Sequence, residues 1–340
     1  MYQRTFHQPP PPFANFLCEM IRAARARSRP RPRVSPVAPP PCPRAELATF
    51  EELRAHPDLA YLADPSAFIH RGYRWRRGVC ATTRSICSLH TETANVWTHL
   101  GGALVSLSLL LLLLTRGTQA VSGLELAAGA TAPPVWPLAV FLCGVSACLG
   151  MSATYHLYEP LSRATARLLQ RLDYAGISIL IFTSNVAPIF YVYYCEMDSA
   201  LCYIAISLII NCACIVLGLS DKFASEQWRK ARAAAYVLSG ALGVVPVAHA
   251  LYIAHWHNDA EKIHTLLRFS QGFLTMGAQY IVGAMLYALR VPERFFPGKL
   301  DYFASHSLFH ILVVTAAATH WGTIKDVFLW RAGQPSCSPQ

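Results

Sequence analysis

Two short runs of this chain, Ser152-Ala-Thr-Tyr-His156 and His306-Ser-Leu-Phe-His310, place three histidines inside long apolar stretches. Residues four apart share one face of a helix, so His306 and His310 form a chelating pair and His156 supplies a third nitrogen from another helix. Three imidazoles suit zinc and leave one tetrahedral position for water, the pattern of catalytic rather than closed structural sites. Zinc can bring the pKa of such a water to about 7. Asp173 is placed to orient that water. Ser152, one turn before His156 on the same face, is placed to donate to a developing oxyanion or to hold a substrate carbonyl. A carboxylate bonded to a ligand's second ring nitrogen would instead tune the ligand, and both roles stay open for Asp173.

The elements that must position these residues are membrane spans. With 340 residues, 54% of them apolar and 14% charged, and a mean hydropathy of +0.31, the chain is too apolar for a soluble domain of its size. Stretches long enough to cross a hydrocarbon core of about 30 Å recur near Val96–Thr115, Val135–Tyr155, Leu172–Tyr194, Ala200–Leu219, Ala233–Ala254, Leu266–Leu289 and Phe303–Thr323. The expected fold is an all-α bundle of seven transmembrane helices. The sixth stretch is interrupted by Arg268, Gln271 and Gln279, which are expected to face the bundle interior. On this topology His156 ends the second span, while Asp173, His306 and His310 lie in the first turns of the third and seventh. All four therefore fall at one depth, near one interface.

A lone histidine in a span more often makes a hydrogen bond within the bundle than binds metal. His99, His249 and His320 are read that way, and His255 and His257 lie in a loop at the opposite end. Asp173 has a competing reading as an ion-pair partner of Arg167 or Arg171. Glu92 and Asn95, before the first span, are read as capping and interhelical hydrogen-bonding residues.

The net charge of +10 does not point to nucleic acid, because its distribution follows the membrane. Of 29 Lys and Arg residues, 14 precede the first span, ten lie in the second-to-third, fourth-to-fifth and sixth-to-seventh connections, and five remain elsewhere. The positive-inside rule then puts the N-terminus in the cytosol and the C-terminus outside, opposite to a G-protein-coupled receptor. Eleven cysteines include no Cys-x-x-Cys pair, which argues against a cysteine-rich zinc site. Cys195, Cys202 and Cys337 are candidates for a disulfide on the outward side, with the pairing undetermined.

Four segments follow. Residues 1–45, rich in Pro and Arg, read as a disordered cytosolic tail in which Phe13, Phe16, Leu17, Met20 and Ile21 recur at the spacing of an amphipathic helix; the composition also fits a transit peptide. Residues 46–94 read as a cytosolic juxtamembrane segment with a short helix over Leu47–Leu53, residues 95–324 as the membrane domain, and 325–340 as a short outer tail. A retinal protein is disfavoured because no lysine lies in the middle of the seventh span, and ion transport finds sparse support in His249 and His320.

Taken together, Ile69-His-Arg-Gly-Tyr-Arg74, Ser88-Leu-His-Thr-Glu-Thr-Ala-Asn-Val-Trp-Thr-His99, Ser152-Ala-Thr-Tyr-His156, Leu172-Asp-Tyr-Ala-Gly-Ile177, Val291-Pro-Glu-Arg-Phe-Phe-Pro-Gly298 and Ser305-His-Ser-Leu-Phe-His310 resemble the progestin and adipoQ receptor (PAQR) family, nearest in pattern to adiponectin receptors. The resemblance covers roughly residues 69–324. It implies seven helices with a cytosolic N-terminus, and zinc (Zn2+) held by His156, His306 and His310 with Asp173 near its water. It further implies ceramidase-like hydrolysis of a membrane lipid amide in some members and ligand-triggered signalling in others. The expected partners are therefore a ceramide-like lipid and an extracellular ligand, with oligomers allowed and nucleic acid not. The expected location is the plasma membrane or an endomembrane, and the leading alternative is a non-catalytic receptor or scaffold with structural zinc.

Overall fold

The computed structural model describes residues 47–63, 67–75, 78–122, 132–335 and 337. The tail over 1–45, with its amphipathic stretch, lies outside the described residues. Among these, seven helices are long and apolar enough to cross a bilayer. In chain order, β1 (Ala48–Thr49), α1 (Phe50–Ala55), β2 (Arg71–Tyr73) and α2 (Val79–Arg84) form a small cap ahead of the first span. The spans are α3 (Thr93–Arg116), α4 (Trp136–Tyr158), α5 (Arg163–Val192), α6 (Met197–Gly218), the pair α7 (Arg229–Ala241) and α8 (Val244–Trp256), α9 (Ala260–Leu289) and α10 (Ser305–Ala332). Successive spans alternate in direction. The ends of α4 and α9 and the starts of α3, α5, α7 and α10 therefore gather at one end of the bundle.

Several boundaries differ from the hydropathy reading. The third helix begins at Arg163, because Ser162 caps it by accepting from the Thr165 amide at 3.0 Å; the polar turns through Arg171 propagate a helix that apolarity alone does not mark. The seventh helix runs on to Ala332, so much of the expected outer tail is helical. The fifth span is two helices meeting around Gly243. Pro246 lacks the N–H that would reach back to Leu242, and that missing bond breaks the ladder there. The cap adds a two-stranded antiparallel ladder to an otherwise helical chain, and its helix starts at Phe50 behind a Thr49–Glu52 capping box. In α9, Arg268 and Gln271 lie exposed and only Gln279 turns partly inward. This corrects the expectation that all three face the bundle; Arg268 reaches over the Phe269 ring.

The main core is built where α4, α5 and α10 meet, from Leu142, Val145, Leu149, Leu180, Val313 and Ala317 among others. Close approach of α4 and α5 needs Gly144, where an added Cβ would collide with the Thr183 side chain. Gly144→Val is therefore expected to destabilise the bundle by about 1–3 kcal/mol, the usual cost of overpacking, and thermal unfolding in detergent would register it; an unchanged midpoint would show that the two helices slide apart freely. At the other end of the bundle Cys195 and Cys337 form a disulfide with Cα atoms 5.4 Å apart, which joins the α5–α6 turn to the segment after α10. Of the three cysteines considered for this bond, Cys202 is free and exposed.

Candidate metal centre

The three histidines of the two runs come together. The His306 Nε2 atom lies 3.2 Å from His156 Nε2 and 3.2 Å from His310 Nε2, and one ring nitrogen from each residue falls within 4.8 Å of the others. Four ligands at about 2.0–2.1 Å around a tetrahedral ion would stand about 3.3 Å apart, so two of the three separations match those of an ion's own ligands. His156 and His310 are buried and His306 partly so. The helices achieve this because α4 ends, and α10 begins, at the same end of the bundle.

Protons decide what this cluster is for. His156 Nδ1 lies 2.7 Å from the Glu92 Oε2 carboxylate oxygen, and His310 Nδ1 lies 3.2 Å from the Asn95 carbonyl. Both partners only accept, so the proton of each neutral ring sits on Nδ1 and each Nε2 presents a lone pair to the centre. His306 can bring one proton to satisfy two facing acceptors. A cation would engage all three lone pairs at once, which is the donor chemistry a metal site requires. Buried lone pairs left facing one another would be costly.

Glu92 and Asn95 do more than cap and bridge helices, and this revises their reading. The Asn95 amide donates to Glu92 Oε2 at 2.7 Å and its Oδ1 accepts from the Ser307 hydroxyl at 2.8 Å. The entrance of α3, from Glu92 to Asn95, thus holds the Nδ1 side of both buried histidines. Burial opposes ionisation of Glu92, but the hydrogen bonds it accepts from His156 and from the Asn95 amide hold its carboxyl below the usual carboxylate range. It is an anion poised against the His156 ring. The signal in the sequence was an acidic residue and an amide three apart at a span entrance, at the depth of the histidines.

Asp173 lies about three turns into α5, half-buried, where it engages the Ser152 hydroxyl and sits in the field of His156 and Arg232. The alternative ion pair is not made: Arg171 pairs with Asp221. Ser152 is buried one turn before His156. Glu159 also brings a carboxylate near Glu92 and His156, but Arg74 stands against it at 3.5 Å. The same guanidinium donates to the Leu157 carbonyl at 2.9 Å and to the His156 carbonyl, so the cap segment closes the end of the ligand helix. Glu293 accepts from the Ser305 amide at 2.8 Å, which fixes the start of α10 one residue before His306.

The remaining histidines have other surroundings. His99 stacks on His310 with ring centroids 3.6 Å apart. His320 Nε2 donates to the Ser184 carbonyl, and His249 Nδ1 lies 3.0 Å from the Tyr203 hydroxyl and 3.1 Å from that of Tyr193.

A family described as haemolysin-III related matches residues 87–321. The chain is 36% identical over 275 residues to a protein named adiponectin receptor protein from Drosophila melanogaster, covering 80% of this chain and 58% of that one. It is 37% identical over 254 residues to progestin and adipoQ receptor-like protein 1 of Caenorhabditis elegans, covering 74% and 55%. It is 36% identical over 256 residues to the ADIPOR-like receptor IZH2 of Saccharomyces cerevisiae, covering 74% and 77%. The chain thus spans little more than half the length of the fly and nematode proteins.

Proposed function

The chain belongs to the haemolysin-III-related family, and from that premise we propose that this multi-pass membrane protein is a PAQR-type receptor with an intramembrane zinc site that hydrolyses a ceramide-like lipid amide. The observation that carries the reading is the convergence of three imidazole nitrogens, two of them stripped of protons by fixed partners. Zinc is the assigned ion because a buried all-imidazole set suits it. When bound, it supplies Lewis acidity and acidifies water.

The protein's own groups then divide the work. Asp173 takes the proton from the water whose oxygen adds to the amide carbonyl, and returns it to the amine nitrogen as the carbon–nitrogen bond breaks. The products are a fatty acid and a free amine. Once Asp173 carries the water's proton it no longer needs the Ser152 hydroxyl as donor, and Ser152 turns its single proton to the carbonyl oxygen as negative charge develops there. Glu92 keeps His156 in the tautomer that presents Nε2. The bilayer supplies an acyl-chain substrate laterally, at the depth where the residues stand.

The charge distribution supports an orientation with the metal end in the cytosol, since the basic residues concentrate in the segments at that end. The Cys195–Cys337 disulfide at the opposite end supports it independently, because such bonds persist on the oxidising side. A plasma-membrane or endomembrane site is consistent with both.

The test is release of fatty acid from ceramide by purified, zinc-loaded protein, with Asp173→Asn as the diagnostic variant. Turnover is expected to fall by about 10²–10⁴-fold with zinc content unchanged. Zinc retained without any turnover in the native chain would remove the hydrolase and leave a receptor whose metal ties α4 to α10.

A further inference from the structure

The connection between α9 and α10, residues 290–304, carries a feature that the metal site does not use. Phe295 and Phe296 are 66% and 52% exposed, and Phe303 is 43% exposed. Arg294 and Lys299 are exposed among them, and the Arg294 guanidinium lies over the Phe295 ring. Loops between helices ordinarily show polar groups to water; this one shows three aromatic rings interleaved with cations.

The backbone that carries the rings is closed on itself by hydrogen bonds. Successive turns close through the Arg294 amide to the Arg290 carbonyl at 2.9 Å, Phe295 to Pro292 at 2.9 Å, Phe296 to Glu293 at 3.2 Å and Lys299 to Phe296 at 3.1 Å. The Gly298 amide donates to the Phe68 carbonyl at 2.9 Å. Gly298 has a φ of +70°, and a Cβ there would run into His70. Asp301 accepts from the His70 amide at 2.9 Å. The turn is thus pinned to the cap on one side, while its aromatic side is left open. An exposed surface that is already ordered binds without paying for its own ordering.

We infer that residues 294–303 form a docking surface for anionic phospholipid of the adjoining leaflet, with Phe295 and Phe296 among the upper acyl chains and Arg294 and Lys299 on headgroup phosphate or carboxylate. Two observations select this occupant. The surface follows directly on the end of α9, where Met285 and Leu289 are 55% and 44% exposed and the Leu289 carbonyl accepts from the Arg294 guanidinium at 3.4 Å, so an apolar face that a bilayer would cover leads into it. Its charge is complementary to anionic lipid, and aromatic rings flanked by Lys and Arg are the composition that settles at headgroup level. The inference requires that the chain span a bilayer and is independent of the zinc reading.

The experiment uses the full chain in nanodiscs of phosphatidylcholine with or without phosphatidylserine. With 4-fluorophenylalanine introduced at position 295, the fluorine signal is expected to relax faster with a nitroxide on the lipid chain than with a gadolinium chelate in the buffer. Phosphatidylserine retained on the protein in native mass spectrometry is expected to weaken by about 25-fold in the Arg294→Gln, Lys299→Gln double variant, about fivefold for each cation, and to fall with added salt in the native chain. Dominant relaxation by gadolinium would overturn the inference. Retention indifferent to both salt and the double substitution would overturn it equally, leaving an aromatic contact without headgroup selection. The fluorine and salt measurements need only the native fold, so a misfolded double variant would not protect the inference.

Discussion

Replacing His310 with alanine is expected to strip the bound zinc from the purified chain, taking metal content from one ion per protein to a small fraction. The His310 ring is buried, its Nδ1 faces the Asn95 carbonyl at 3.2 Å and its Nε2 faces His306 at 3.2 Å. Alanine removes one of the three ring nitrogens and leaves a void against the stacked His99 ring. The loss should exceed about 100-fold in affinity, the upper range for disturbing a ligand's supporting partner alone. Elemental analysis after gel filtration would measure it. His306→Ala should behave alike, since its Nε2 is the atom that lies close to both of the others. His99→Ala removes only a stacked ring and is expected to leave stoichiometry at one. Equal zinc in the native and His310→Ala proteins would place the ion elsewhere.

The second large effect belongs to Glu92. Its Oε2 accepts from both His156 Nδ1 and the Asn95 amide, each at 2.7 Å. Glu92→Gln keeps an oxygen that can accept both bonds but removes the charge that makes the imidazole a stronger ligand. Glu92→Ala removes charge and acceptor together and frees the ring to take the other tautomer, which would turn an N–H toward the centre. A graded loss follows, about tenfold for Gln and about 100-fold for Ala, across the range found for such supporting partners. Competition against a chromophoric zinc chelator in micelles would resolve the two steps. Identical affinities for all three proteins would mean that the carboxylate serves only to stitch α3 to α4.

Much of this centre could be read from the sequence because membrane burial sharpens polar signals. His306 and His310 announce themselves by i, i+4 spacing on an apolar helix, and alternation of seven spans brings His156 and Asp173 to their depth. That logic works along one helix and across topology. It does not reach contacts fixed by rotation of one helix against another, which is why Glu92 passed for a cap although its partner lies 64 residues away. The same holds for Arg74, whose bonds to the end of α4 cross more than 80 residues. Helix ends obey a different rule: apolarity reports where lipid is, whereas helices at Arg163 and beyond Thr323 persist on backbone hydrogen bonds outside it. Arg268 shows the converse, since a long side chain lets a cation sit on an exposed face of a span by reaching along a neighbouring ring.

The central claim is that one ion is shared by His156, His306 and His310. X-ray absorption at the zinc edge on the purified full-length chain tests it most directly. The account predicts one zinc per chain with three imidazole nitrogens at about 2.0–2.1 Å and one further light-atom ligand, a shell that is lost in His310→Ala. Sulfur in the first shell, or an imidazole count unchanged by that substitution, would contradict it.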